Sequence, residues 1–116
     1  MTIDTHALAK LRDLVGGDPE DLAEFIADFS DIAPALVAEM TAGQAAQDWE
    51  KVRVAAHTLK SNAKDLGAAD LSELSKTVEF RCKEGQTEGL APLIAQIDTA
   101  TQQAVAALNQ IDPAAV

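Results

Sequence analysis

An all-α fold, an up-and-down four-helix bundle with an additional short N-terminal helix, is predicted by three observations. Apolar residues recur with the 3.6-residue period in every long segment, and no stretch sustains period-two alternation. The chain also has no tyrosine and only three phenylalanines and one tryptophan, a poor stock for strands. Its 116 residues fit a single domain, 1–116, against a usual size of roughly 100 to 200 residues.

The first helix, from about Asp4 to Val15, carries Leu8, Leu11 and Val15 on one side and is stopped by Gly16-Gly17. The second opens with a clear start signal. Asp18 can cap free amides, Pro19 occupies the first turn where its missing N–H costs nothing, and Glu20 and Asp21 suit the positive helix end. Leu22, Phe25, Ile26, Phe29, Ala33, Leu36 and Met40 form its stripe to about Thr41, with a kink or break expected at Pro34. After a connection containing Gly43, the third helix runs from about Asp48 to Leu66 with Val52, Ala55, Ala56, Leu59, Ala63 and Leu66 inward. Gly67 ends it. Asp70 and Glu73 read as a capping pair for the fourth helix, whose Leu71, Leu74, Val78 and Cys82 face the core up to Gly85. The fifth starts within Glu88–Ala91, tolerates Pro92 in its first turn, and shows Leu90, Leu93, Ile97, Thr101, Ala104, Leu108 and Ile111. Asp112–Val116 reads as a frayed tail.

Composition excludes several classes of function. Nine basic against 19 acidic residues give a net charge of −10, whereas gripping a phosphate backbone requires clustered cations, so nucleic acid is not expected as a partner. No apolar run approaches the ~20 residues that span a bilayer, and Met1-Thr2-Ile3-Asp4 lacks the basic and apolar segments of a signal peptide. A soluble, cytoplasmic protein without membrane attachment is expected. Cys82 is the single cysteine, and with two histidines it assembles no zinc site of standard spacing. Charge is also unevenly placed: residues 48–83 hold seven of the nine cations, which suggests that something acidic docks there.

The third helix carries the one pointed feature. At about 100° per residue, Arg53, His57, Lys60, Ser61 and Lys64 share the face opposite the apolar stripe. Neighbouring cations oppose charging of the ring and so favour the nucleophilic, neutral imidazole, and the same cations could hold a phosphoryl group. On spacing alone, a solvated helix face with a surface histidine explains the pattern as well.

The stretch His57-Thr58-Leu59-Lys60-Ser61-Asn62-Ala63-Lys64-Asp65-Leu66-Gly67-Ala68 decides between them. It resembles the signature of histidine-containing phosphotransfer (HPt) domains: an apolar residue at +2 from the histidine, lysine at +3, a small residue at +4 and Gly-Ala at +10 and +11. Similarity extends upstream to Asp48 and Ala55-Ala56 and downstream through Leu71 and Leu74 to Glu79. Ser61 departs from the glycine of many members but is still small.

The resemblance implies a phosphocarrier of two-component signalling. His57 would take a phosphoryl group from a receiver-domain aspartate and pass it to another, with Lys60 neutralising phosphate oxygens, Arg53 and Lys64 steering, and Ser61 leaving room for the partner. The partners implied are receiver domains of a hybrid histidine kinase and of a downstream regulator, which bring the Mg²⁺; no cofactor is expected on this chain, and a monomer is expected. No P-loop, glycine-rich kinase loop or metal-binding carboxylate cluster occurs, so self-phosphorylation from ATP is not expected. The alternative is a non-phosphorylated helical adaptor, which would not need His57.

Glu79 either hydrogen-bonds the ring nitrogen of His57 that is not phosphorylated, as family members often do near this position, or simply pairs with Lys76 or Lys83. The docking surface is expected to centre on His57 and to include the edge of the fourth helix around Lys76 and Lys83. Phe80, opposite the core side of its helix, is expected to be covered by the first short helix; if exposed, it becomes a docking residue. His6, Trp49 and Cys82 are assigned no function.

Overall fold

In the computed structural model, which describes residues 2–116, five helices follow one another: α1 (Thr5–Leu14), α2 (Pro19–Ala45), α3 (Trp49–Asp65), α4 (Ala69–Lys83) and α5 (Leu90–Leu108). No strand occurs among the described residues. Helix α3 packs on α2 and α4, and α5 packs on the same two, closing an up-and-down four-helix ring. Helix α1 touches α2 and α3 only.

Local chemistry sets the boundaries. Asp4, Asp18 and Asp48 each accept a backbone amide at the start of α1, α2 and α3. The end of α3 is a Schellman turn: Ala68 N–H donates to Ala63 O at 2.8 Å and Gly67 N–H to Lys64 O at 3.2 Å. Gly67 has φ +77°, and a Cβ there would lie 2.4 Å from the Asp4 carbonyl oxygen, while Asp4 N–H donates to Gly67 O at 2.9 Å. The glycine is therefore required twice, for its left-handed turn and to let the backbone before α1 clasp the end of α3.

Several expectations are corrected. Helix α2 is not broken at Pro34, one of the two outcomes expected there, and continues past Gly43 to Ala45. Gly43 is buried against α3, where a Cβ would meet Val52 Cγ2 at 2.9 Å, so it serves close packing and not the connection. The core line of α2 is Leu22, Ile26, Phe29, Ala33, Val37 and Met40; Phe25 lies exposed on its flank and Leu36 is half-buried, because the bundle uses a narrower stripe than the periodicity allowed. In α5, Ile94 and Ala100 are buried whereas Leu93 packs only partly, and Ile111, expected to continue the series, lies beyond the end of the helix and is also partly packed. Helix α4 starts at Ala69 after Ala68, with no side-chain cap, so Asp70 and Glu73 do not form the expected capping pair. The tail is not frayed: the Arg12 guanidinium donates to the carbonyls of Pro113 and Val116, and Val116 packs against the core.

The α3 stripe is as read. Val52, Ala55, Ala56, Leu59, Ala63 and Leu66 are all buried. Small residues are buried on both α3 and α4, Ala55, Ala56 and Ala63 on the first and Ser72 and Ser75 on the second, and the two helices pack closely against each other.

Candidate functional site

The site is built on the α3–α4 pair. His57 projects from α3 opposite its apolar stripe, and its side chain is 58% exposed. Glu79, on the α3-facing flank of α4, is buried, and its two carboxylate oxygens reach two residues of α3: Oε2 lies 2.5 Å from His57 Nδ1, and Oε1 accepts from Lys60 Nζ at 2.6 Å. Lys83 Nζ is 3.7 Å from Oε2, a longer ion pair. Of the two readings left open for Glu79, the geometry supports contact with His57, together with a partner the sequence did not suggest, Lys60, and it also contains the Lys83 pair of the second reading. Lys76 does not pair with it.

This arrangement has definite electrostatics. Burial pushes the Glu79 carboxyl up, but the hydrogen bonds from Lys60 and His57 outweigh it and hold the group below the usual carboxylate range. Glu79 is thus ionised near neutrality and can only accept. His57 Nδ1 is therefore the donor in this contact, and the other ring nitrogen, Nε2, is not engaged by Glu79.

The remaining expected residues sit around this centre differently from one another. Arg53 is turned back along α3, where Glu50 holds its guanidinium at two points, one of them Nε to Oε2 at 2.9 Å. Ser61 is exposed and donates to His57 O at 3.3 Å. Lys64 and Lys76 are exposed, and with Lys60, Ser61 and Lys10 they line a groove of about 870 Å³ between α1, α3 and α4. Phe80 is 57% exposed, which corrects the expected cover: α1 makes no contact with α4.

One contributor was not read from the sequence. Ser72, buried on α4, donates to Lys60 O at 2.9 Å, pinning the two helices together two turns before Glu79. An alternation of small residues at a helix–helix contact is a signal for close approach, but it does not say which carbonyl a serine will meet. Cys82 is half-buried, and burial pushes its thiol up, consistent with a packing residue.

An exposed histidine on a four-helix bundle, its inner nitrogen held by a buried carboxylate beside a lysine, belongs to the histidine phosphotransfer class. The profile of the Hpt domain matches residues 22–109, all four long helices without α1, and the chain belongs to that family. Among solved structures, the histidine-containing phosphotransfer protein B (HptB) of Pseudomonas aeruginosa PAO1 superposes with a TM-score of 0.85 at 20% identity, over 93% of this chain and 91% of that one, and so shares the fold. No curated protein matches the chain in sequence. No helix is long and apolar enough to cross a membrane among the described residues.

Proposed function

We propose that this protein is a phosphocarrier in a two-component phosphorelay, accepting a phosphoryl group on His57 from one receiver-domain aspartate and delivering it to another. The observation that carries the reading is the grip of Glu79 on Nδ1, which leaves Nε2 as the free, solvent-side nucleophile.

Nε2 attacks the phosphorus of the aspartyl phosphate, the N–P bond forms, and the P–O bond to the aspartate breaks, returning a free carboxylate to the receiver. The ring acquires positive charge as it is phosphorylated while Nδ1 keeps its hydrogen, and the Glu79 carboxylate 2.5 Å away stabilises that charge. The reverse of these steps hands the group to the second receiver. Lys60 lies within the same cluster and can neutralise phosphoryl oxygens, although at rest its ammonium rests on Glu79. Mg²⁺ carried by the receiver supplies further charge neutralisation on the partner's side. Ser61, one turn beyond His57 on the same face, leaves space for in-line approach, and Lys64 and Lys76 favour an acidic partner surface. The partners in this reading are receivers of a hybrid histidine kinase and a downstream regulator, met in the cytoplasm by a monomeric chain.

The test is incubation with a panel of phosphorylated receiver domains. An acid-labile, base-stable label on the wild-type chain, absent from His57→Gln, is the expected result. A label that persists in His57→Gln defeats the proposal.

A further inference from the structure

Phe80 is the largest exposed apolar side chain on α4, and nothing in the fold accounts for it. Helix α1 packs on α2 and α3 without contacting α4, α5 packs on α4, and the ring points about 180° away from the core line of Leu71, Val78 and Cys82. Its surroundings are asymmetric. Lys76 and Lys83, at −4 and +3, lie on the side of Phe80 that faces α3 and His57, while Glu84 lies on the other side and Glu73 lines the groove beside Lys76. Arg81 is turned away, its guanidinium donating to the carbonyls of Gln86 and Glu88.

We infer that Phe80 is an aromatic anchor for the receiver domain, seated in an apolar spot at the rim of the receiver's acidic phosphorylation pocket; the inference rests on the phosphocarrier reading. Three arguments support this occupant. The first is reach: a standard interface covers about 800 Å² per partner, a disc of roughly 16 Å radius, and helix axes pack about 8–10 Å apart, so a partner centred on His57 overlies the outer face of α4. The second is continuity, because Glu79 and Phe80 are consecutive, one turned inward to His57 and the other outward. The third is charge: the two lysines between Phe80 and His57 match a partner whose acids surround the phosphorylated aspartate. Aromatic side chains of this kind are enriched among residues that dominate interface energetics.

The experiment measures Kd by calorimetry for the full chain and an unphosphorylated receiver that exchanges phosphoryl groups with it, alongside transfer kinetics with the same receiver. Phe80→Ala should raise Kd by about five- to thirtyfold. Phe80→Leu should restore part of the affinity, the maximal transfer rate at saturating receiver should stay within about twofold, and the thermal melt should not fall. An unchanged Kd in Phe80→Ala, or a lowered maximal rate with Kd unchanged, overturns the inference. Labelling of His57 separates the two readings: a chain never labelled by any receiver defeats the phosphocarrier proposal, whereas a labelled chain with equal Kd for Phe80→Ala defeats only this one.

Discussion

Two carboxylates flank the same stretch of α3 and engage it in opposite ways. Glu50 pairs with Arg53 three residues along its own helix, with 69% of its side chain exposed. Glu79 reaches across from α4 to His57 and Lys60 with 4% exposed. Both are held below the usual carboxylate range, for different reasons. For Glu50 the Arg53 hydrogen bond comes first; for Glu79 the largest influence is burial, which pushes upward and is outweighed by Lys60 and then His57. The local pair organises nothing beyond one helical turn, whereas the interhelical cluster fixes a ring orientation, a lysine position and the register of two helices together. Proximity of opposite charges is common to both, so burial and sequence separation decide which one has consequences.

Breaking the buried side of this comparison should have the largest effect. Glu79→Ala removes both hydrogen bonds and frees the imidazole to rotate, so receiver-to-His57 transfer should fall by roughly ten- to a hundredfold. Stability should drop by about 1 to 3 kcal/mol, tempered because Lys60 and His57 are partly exposed and can rehydrate. Rapid-quench kinetics and denaturant melts measure these. Glu79→Gln keeps shape and an acceptor, and should retain most of the stability while still transferring slowly. Wild-type rates in both variants would remove Glu79 from the chemistry.

Lys60→Ala comes next. One charge-assisted contact is worth roughly 1.5 to 3 kcal/mol, which is about one to two decades in rate if it is made fully in the transition state. The fold should survive, since Ser72 contacts the Lys60 backbone and not its side chain. Transfer at the wild-type rate would mean that the ammonium serves only to hold Glu79.

These residues were unequally legible in the sequence. The α3 stripe and its end could be read because Val52, Leu59 and Ala63 sit at the helical period and Gly67 carries its own boundary chemistry, and the helix was expected to start near Asp48, which caps it. The exposure of His57 followed from the same geometry. The Glu79 contact stayed undecided because a wheel places a residue on a flank but does not give the distance between helices, which packing contacts such as that of Ser72 with the Lys60 carbonyl help to set. Phe80 was misplaced because its cover depends on where α1 docks, and the Asp4–Gly67 clasp that decides this is made by backbone atoms. The same limit explains Phe25 and Leu36: several apolar stripes fit one α2 sequence, and only its neighbours choose among them. Pro34 does not break α2, since a helix packed on its neighbours can tolerate one missing N–H.

Acid sharpens the comparison further. The folded Glu79 carboxyl is held below its usual range, so as pH falls the unfolded chain takes up the proton first. Its stabilising contribution is complete above the ordinary carboxylate range and is lost as pH falls through the lowered folded value. The difference in stability between wild type and Glu79→Gln should therefore be greatest near neutrality and shrink in acid. A difference that stays constant with pH would contradict the assigned cause.

The smallest effect is expected at Glu50. Its carboxyl is also lowered, but it and its partner stand at the surface, where water solvates both charges when they separate and salt screens them when they meet. Holding two long side chains together also costs rotamer freedom that the exposed contact scarcely offsets. Glu50→Gln should therefore leave the thermal melt unchanged at neutral pH and leave its acid dependence parallel to wild type. Transfer gives the more informative reading, because Arg53 lies one turn before His57 and the substitution releases its guanidinium from the helix surface. Freed, Arg53 adds positive field beside the nucleophile, so association with an acidic receiver should quicken by up to about threefold at low salt and revert at high salt. A transfer rate that falls in Glu50→Gln would show that the surface pair positions Arg53 for the partner, and that the contrast between the two carboxylates is smaller than their burial implies.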